Sequence, residues 1–317
     1  MTYIEGTAKL NIRTKGRPRI WDLVGKTPLV PLDNLFAGRL RDEVRILAKA
    51  EWFNPSGSVK DRPAVAILDR ALRNGYLSEG MILLDSTSGN MGIAYATLGA
   101  ALGVPIELAI PENATPERLA ILRSLGAHLT LTDPLEGSEG AHETALEIAH
   151  THADRYYYAD QYSNPANWQA HFDTTGPEVY EQTHGTVTHF IAGMGTTGTI
   201  TGTGRYLKQR NPGIEIIGVQ PDGPFHGLEG LKHLPSVDVP QIYDPGVVDE
   251  VRDIATEPTY DMLKQLTQKE GLFVGVSAAA AVLAAYEIAV DLKSGVLVVL
   301  LPDSGIKYLS QPFWRAE

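Results

Sequence analysis

Four short stretches pair residue types that could do chemistry with the spacing of a strand-to-helix turn. The first is Asn54-Pro55-Ser56-Gly57-Ser58-Val59-Lys60-Asp61-Arg62. Asn-Pro and Gly make the turn, Ser supplies a cap oxygen, and a helical pattern over 63–74 follows. A lysine at the opening of that helix stands near positive partial charge, which favours its neutral, nucleophilic amine. The second stretch, Ser86-Thr87-Ser88-Gly89-Asn90-Met91-Gly92, sets hydroxyls, glycines and an amide at the start of an Ala-rich helix over 93–103. Backbone N–H groups there suit a carboxylate or a phosphate. The third, Gly193-Met194-Gly195-Thr196-Thr197-Gly198-Thr199, matches G-x-G-x-x-G, yet the next strand pattern, 215–219, runs into Gln220 and not an acidic residue. Its threonine hydroxyls suit a terminal phosphate monoester better than a pyrophosphate. The fourth, Pro302-Asp303-Ser304-Gly305-Ile306-Lys307-Tyr308-Leu309-Ser310, directly follows an apolar run at 296–301.

The elements that must position these turns read as strands at 45–50, 81–84, 106–110, 128–131, 156–159, 189–192, 215–219 and 296–301, alternating with helical patterns. Such alternation predicts an α/β protein with parallel sheets, whose ligands sit beyond the carboxyl ends of the strands. The 317 residues suffice for two domains. A formal charge of −11 argues against general nucleic-acid or membrane-surface binding. The sequence has no cysteine, so disulfides, thiolate metal sites and cysteine nucleophiles are excluded. His150 and His152 flank Thr151 without further clustered ligands, and no metal site is expected. The start of the chain lacks a secretory signal and the apolar runs are too short to span a bilayer, so a cytoplasmic protein is expected. Lys9, Arg13, Lys15, Arg17 and Arg19 mark a basic arm, read either as packing on a partner subunit or as a solvated tail.

A reactive lysine, a carboxylate loop, a phosphate loop and a terminal serine loop are together the parts that pyridoxal phosphate chemistry on an amino acid requires. The segments NPSGSVKDRPA, TSGNMG, DQYSNPAN at 160–167, GMGTTGTITGTGRYL and PDSGIKYLS stand in that order between Trp21 (in IWDLVGKTPLVPL) and Ser310. They resemble the signature segments of the cysteine synthase family, the O-acetylserine and O-phosphoserine sulfhydrylases, within the fold-type II pyridoxal-phosphate enzymes. The resemblance implies a tryptophan synthase β-like fold of two open, twisted α/β sheet domains with the active site between them. It divides the chain into a smaller domain over 45–159, mobile on substrate binding, and a larger one formed by 1–44 and 160–317. By the same resemblance Lys60 is the Schiff-base lysine, and Asn90 hydrogen-bonds the cofactor's 3-hydroxyl oxygen. Thr87, Ser88, Gly89, Asn90 and Met91, with Gln161, face the substrate. Gly195, Thr196, Thr197, Gly198 and Thr199 cradle the phosphate, and Ser304 faces the pyridine nitrogen.

A neutral serine there cannot keep the ring nitrogen protonated, which disfavours a long-lived carbanion and favours β-replacement through an aminoacrylate. Lys60, once displaced by the substrate amine, is the base that takes the α-proton. The expected reaction is formation of L-cysteine from an activated serine and sulfide. Other β-replacements or eliminations (β-cyanoalanine or diamino-acid formation, serine or threonine dehydration) are the alternative. Many members read TSGNTG where this chain has Met91, so a hydroxyl near the substrate is lost. The donor is O-acetylserine or O-phosphoserine. A phosphate leaving group wants a cation, and Lys232 and His226, in the Gly-rich segment 224–233, are the candidates. The resemblance also implies a homodimer, with a serine acetyltransferase or a sulfur-carrier protein as further partners.

Overall fold

The computed structural model describes residues 19–87 and 89–314. Ser88 and the arm residues Lys9, Arg13, Lys15 and Arg17 lie outside the described residues. The strands are β1 (Leu29–Pro31), β2 (Val44–Ala50), β3 (Ile82–Ser86), β4 (Ile106–Pro111), β5 (His128–Thr132), β6 (Tyr156–Tyr158), β7 (His189–Gly193), β8 (Glu215–Pro221), β9 (Glu250–Ile254) and β10 (Gly295–Leu301). The helices are α1 (Asp61–Arg73), α2 (Asn90–Leu102), α3 (Pro116–Ser124), α4 (Gly137–Thr151), α5 (Pro165–Ala170), α6 (Gly176–Gln182), α7 (Gly198–Arg210), α8 (Thr256–Gln265) and α9 (Val276–Ala289).

Two sheets result. One has six strands in the order β1-β2-β10-β7-β8-β9, and the other has four in the order β5-β4-β3-β6. Every pairing is parallel except β1 with β2. The near-continuous apolar run of β10, Gly-Val-Leu-Val-Val-Leu-Leu, is what a strand covered on both faces requires. Its cover includes α9, whose alanines let helix and sheet pack closely and which is buried almost all round. The smaller sheet has its own core, in which Ile67 and Leu68 of α1 and Ile93, Tyr95 and Leu98 of α2 pack with Leu83 and Leu108.

The strand orders explain where chemistry can sit. In the smaller sheet β4 and β5 run to one side of β3 and β6 lies on the other. In the larger sheet β8 and β9 run to one side of β7 while β10 and β2 lie on the other. Each reversal opens a crevice at the carboxyl ends of the flanking strands, and the turns after β3, β6, β7 and β10 border these crevices. The turn after β2 joins them because Val59 N–H donates to Pro302 O at 2.8 Å. β2, at the start of the segment 45–159, pairs along its whole length with β10 and therefore lies in the larger sheet. α1, which follows it, packs into the core of the smaller one.

A buried ion network anchors the lysine turn. Arg62 donates to both oxygens of Glu51, at 2.7 and 2.8 Å, and to both oxygens of Glu178, each at 2.8 Å. Lys49 completes it, donating to Glu178 at 2.7 Å and to Thr27 O at 2.6 Å. Asn54 ties the turn to the same group by donating to Glu51 Oε2 at 2.9 Å.

Candidate active site

The turns after β2, β3, β6, β7, β8 and β10 converge on one cavity of about 610 Å³. Lys60 stands in its wall, immediately before α1. Burial strips water from its ammonium and brings its pKa down to about 8, against the opposing pull of the Asp303 carboxylate. About a tenth of the amine is then neutral at pH 7, against well under a thousandth for an ordinary lysine.

Thr87, Asn90 and Met91 line the wall at the start of α2. Thr87 Oγ1 accepts from the N–H groups of Gly89 and Gly92, at 3.0 and 3.2 Å, which folds the turn tightly. A Cβ at Gly89 would stand 2.7 Å from Arg118 Cδ, so this approach requires glycine. Met91 is fully buried and packs into the smaller core while also bordering the cavity. Gln161 reaches the wall with its Nε2 donating to Ser86 O at 2.8 Å.

Opposite lies the glycine-threonine turn before α7. Gly195, Thr196 and Thr199 line the cavity, and Thr197 takes the left-handed conformation (φ 67°) that wraps the chain into the helix. A Cβ at Gly195 would stand 2.6 Å from Gly230 O, and one at Gly198 only 2.1 Å from Asn167 Oδ1. The two glycines therefore leave backbone uncovered at a helix N-terminus beside the threonine hydroxyls, the arrangement that binds an anion. Thr197 and Gly198 are buried within it.

The loop after β8 brings His226 and Lys232 to the wall as well. The Lys232 ammonium lies 4.9 Å from the centroid of the Tyr162 ring, and burial lowers its pKa. In a chain of net charge −11 the described residues of the wall set Lys60, Arg118 and Lys232 against one carboxylate, Glu229, which pairs with Arg118.

Ser304 is placed elsewhere. Its Oγ accepts from Ile306 N–H at 3.3 Å and donates to Phe273 O at 3.4 Å, capping the short turn Gly305–Tyr308 away from the cavity wall. Of the serines in the wall, Ser138, Ser236 and Ser277, the last stands in the first turn of the buried helix α9. Its signal was a hydroxyl opening the longest apolar run in the chain. Arg118 is also in the wall, and no local pattern points to it, because its place depends on stacking over the Tyr308 ring at 4.7 Å.

Behind the carboxylate turn, Asp85 is fully buried: Oδ1 accepts from Ser86 N–H at 2.8 Å, and Oδ2 has no hydrogen-bond partner among the described residues. Burial, reinforced by the Asp160 carboxylate, pushes its pKa up to about 8. The folded chain thus holds a proton that the unfolded chain releases above its ordinary value, and stability falls as pH rises between about 4 and 8. Asp85→Asn is expected to gain about 2–4 kcal/mol more at pH 8 than at pH 5 in urea denaturation. An equal gain at both pH values would mean that the charge is not the cause.

Two open α/β sheets sharing a cavity, with a lysine and an anion-binding helix terminus facing into it, define a class of cofactor-dependent enzyme. Residues 20–303 match the pyridoxal-phosphate-dependent enzyme family, and the chain belongs to it. It is 49% identical over 300 residues to a cysteine synthase of Aquifex aeolicus, covering 93% of this chain and 92% of that protein. It is 42% identical over 294 residues to cysteine synthase B of Pseudomonas aeruginosa, covering 92% and 96%. A crystal structure of cysteine synthase from Entamoeba histolytica superposes with a TM-score of 0.90 at 33% identity, covering 96% of this chain and 93% of that one. The residues present suit pyridoxal phosphate: an amine of lowered pKa and a helix terminus built of glycines and threonines share one cavity. Among the described residues no group of three or more His, Asp or Glu is placed to hold a metal, and no helix is long and apolar enough to cross a membrane.

Proposed function

We propose that the enzyme makes L-cysteine by β-replacement, exchanging the β-oxygen substituent of an activated L-serine for sulfide. The observation that carries this reading is the convergence of Lys60, the Thr87–Met91 turn and the Gly195–Thr199 turn on one cavity. Pyridoxal phosphate, when bound, supplies an electron sink for negative charge at the amino acid's α-carbon. Lys60 holds the cofactor, and its Nζ then takes the α-proton. The backbone of Gly195–Thr199 with the hydroxyls of Thr196 and Thr199 binds the phosphate, and Asn90 faces the 3-hydroxyl oxygen. The α-carboxylate is oriented at the α2 N-terminus by Thr87, Ser88, Gly89 and Asn90, with Gln161. Ser277, and not Ser304, faces the ring nitrogen, and its neutral hydroxyl favours loss of the β-substituent over prolonged carbanion storage. Met91, Leu231 and Phe313 give the wall apolar surface that excludes water from the reacting centre.

The same reading includes a homodimeric, cytoplasmic enzyme whose four-stranded unit moves on substrate binding, with a serine acetyltransferase or a sulfur carrier as protein partner. The donor is O-acetylserine or O-phosphoserine, and Lys232 is the residue that distinguishes them. Among the described residues it makes no ion pair, so its charge is available to an anionic leaving group. The test follows cysteine formation from each donor with sulfide, for wild type and Lys232→Ala. If phosphate leaves, Lys232→Ala cuts kcat/KM for O-phosphoserine by about 10-fold or more and barely changes O-acetylserine. Equal losses would return Lys232 to a packing role, and wild-type inactivity with both donors would overturn the cysteine-forming reading.

A further inference from the structure

Ser304 turns away from the cavity, but other residues of the turn after β10 reach the site. Lys307 is buried, and its Nζ donates to Asn90 Oδ1 at 2.7 Å and to Gly57 O at 3.3 Å. Asp303 is buried too, and its Oδ2 accepts from Asn90 Nδ2 and from Tyr308 OH, each at 2.7 Å. Both ends of the Asn90 amide are therefore held by one turn. Flipping the amide would set Oδ1 against the Asp303 carboxylate and Nδ2 against an ammonium, so only one orientation is compatible with the two charges. An amide nitrogen carries two hydrogens. One goes to Asp303, and the other is what Asn90 can present to the cavity it lines.

We propose that Lys307 is a positioning residue that forces Asn90 to face the cavity as a hydrogen-bond donor and ties that donor to the Lys60 turn. An ammonium on the carbonyl oxygen also polarises the amide and strengthens its N–H groups. The contact with Gly57 O joins the start of α2 to the turn that carries Lys60, so two segments of the site share one cation. A donor held in this way suits an acceptor oxygen such as the cofactor's 3-hydroxyl oxygen. The inference rests on the reading that Asn90 faces the bound cofactor.

The test uses Lys307→Met, Lys307→Arg, Asn90→Ala and the double variant Asn90→Ala/Lys307→Met, with Lys307→Gln replacing Lys307→Met throughout should that protein not fold. Each is reconstituted with pyridoxal phosphate, and the cofactor dissociation constant and the visible absorption maximum are read. Lys307→Met is expected to weaken cofactor binding about 10-fold and move the maximum, while Lys307→Arg stays within about 3-fold of wild type. In the double variant the loss is no greater than for Asn90→Ala alone, because Lys307 acts through that amide. Additive losses, or a Lys307→Met holoenzyme with wild-type affinity and spectrum, would overturn the proposal. These readouts concern the cofactor alone, so failure of wild type to form cysteine would sink the functional reading and leave this one standing.

Discussion

Lys60→Ala is expected to lower cysteine formation by at least about 10³-fold and to remove the visible absorbance that depends on covalent attachment of the cofactor. The expectation follows from the environments of Lys49, Lys307 and Lys60. Lys49 is committed to Glu178, Thr27 and Gln182, and Lys307 to Asn90 and Gly57. Among the described residues Lys60 makes no side-chain hydrogen bond to a carboxylate, and burial leaves its pKa at about 8. Attachment requires the neutral amine, so the rate at which apoenzyme takes up cofactor is expected to climb with pH and level off above about 8, where an ordinary lysine would still be gaining. Stopped-flow reconstitution between pH 6 and about 10 checks this. Asp303→Asn removes the negative charge that holds the Lys60 pKa up, and its midpoint is expected at lower pH than wild type. Reduction of wild-type holoenzyme followed by peptide mapping gives the second check. Label on Lys232 or Lys307 in place of Lys60 would reassign the attachment site.

Most of the strands and all four turns were legible because each signal is local. A buried parallel strand needs a continuous apolar run, and a turn into a helix needs Gly, Ser, Thr or Asn at set positions. What was not legible depends on contacts between distant segments. Nothing within Val44–Ala50 tells that it pairs with Gly295–Leu301 and so belongs to the larger sheet. β9 is largely exposed and polar, Glu-Val-Arg-Asp-Ile, and is recruited by its neighbour β8. Ser304 and Ser277 are the instructive pair. Both stand at helix starts, and sequence spacing cannot decide which start faces the cavity. The isolated bridge between Val274 and Ser304 brings them close, and the backbone then turns Ser304 to cap its own turn.

Arg62→Met is expected to destabilise the protein by about 3–5 kcal/mol, because it strips the buried Glu51 and the half-buried Glu178 of a shared guanidinium. Glu51 is wholly buried, and of the cations in the network only Arg62 hydrogen-bonds it. Glu178 keeps Lys49. The pair as it stands need add little net stability, since desolvation offsets much of the attraction, but its one-sided removal leaves charge in the interior without compensation. Arg62→Lys retains the charge and loses the planar fork that serves both carboxylates, so an intermediate loss is expected. The network also fixes the acid limit. Burial alone would raise the Glu178 pKa, but hydrogen bonds and charge from Arg62, then Lys49, bring it down to about 2. A carboxyl depressed in the folded state stabilises above its unfolded value of 4.5, and that contribution is lost as pH falls from there towards 2. In Arg62→Met the Glu178 pKa moves up, so the acid loss begins from a smaller contribution and the pH dependence flattens. Urea denaturation at pH 7 and pH 3 measures both effects. A loss below about 1 kcal/mol at pH 7 would mean that water reaches Glu51 in the variant. The Lys60 turn, anchored to Glu51 through Asn54, would then have to be held by the Val59 and Lys307 contacts instead.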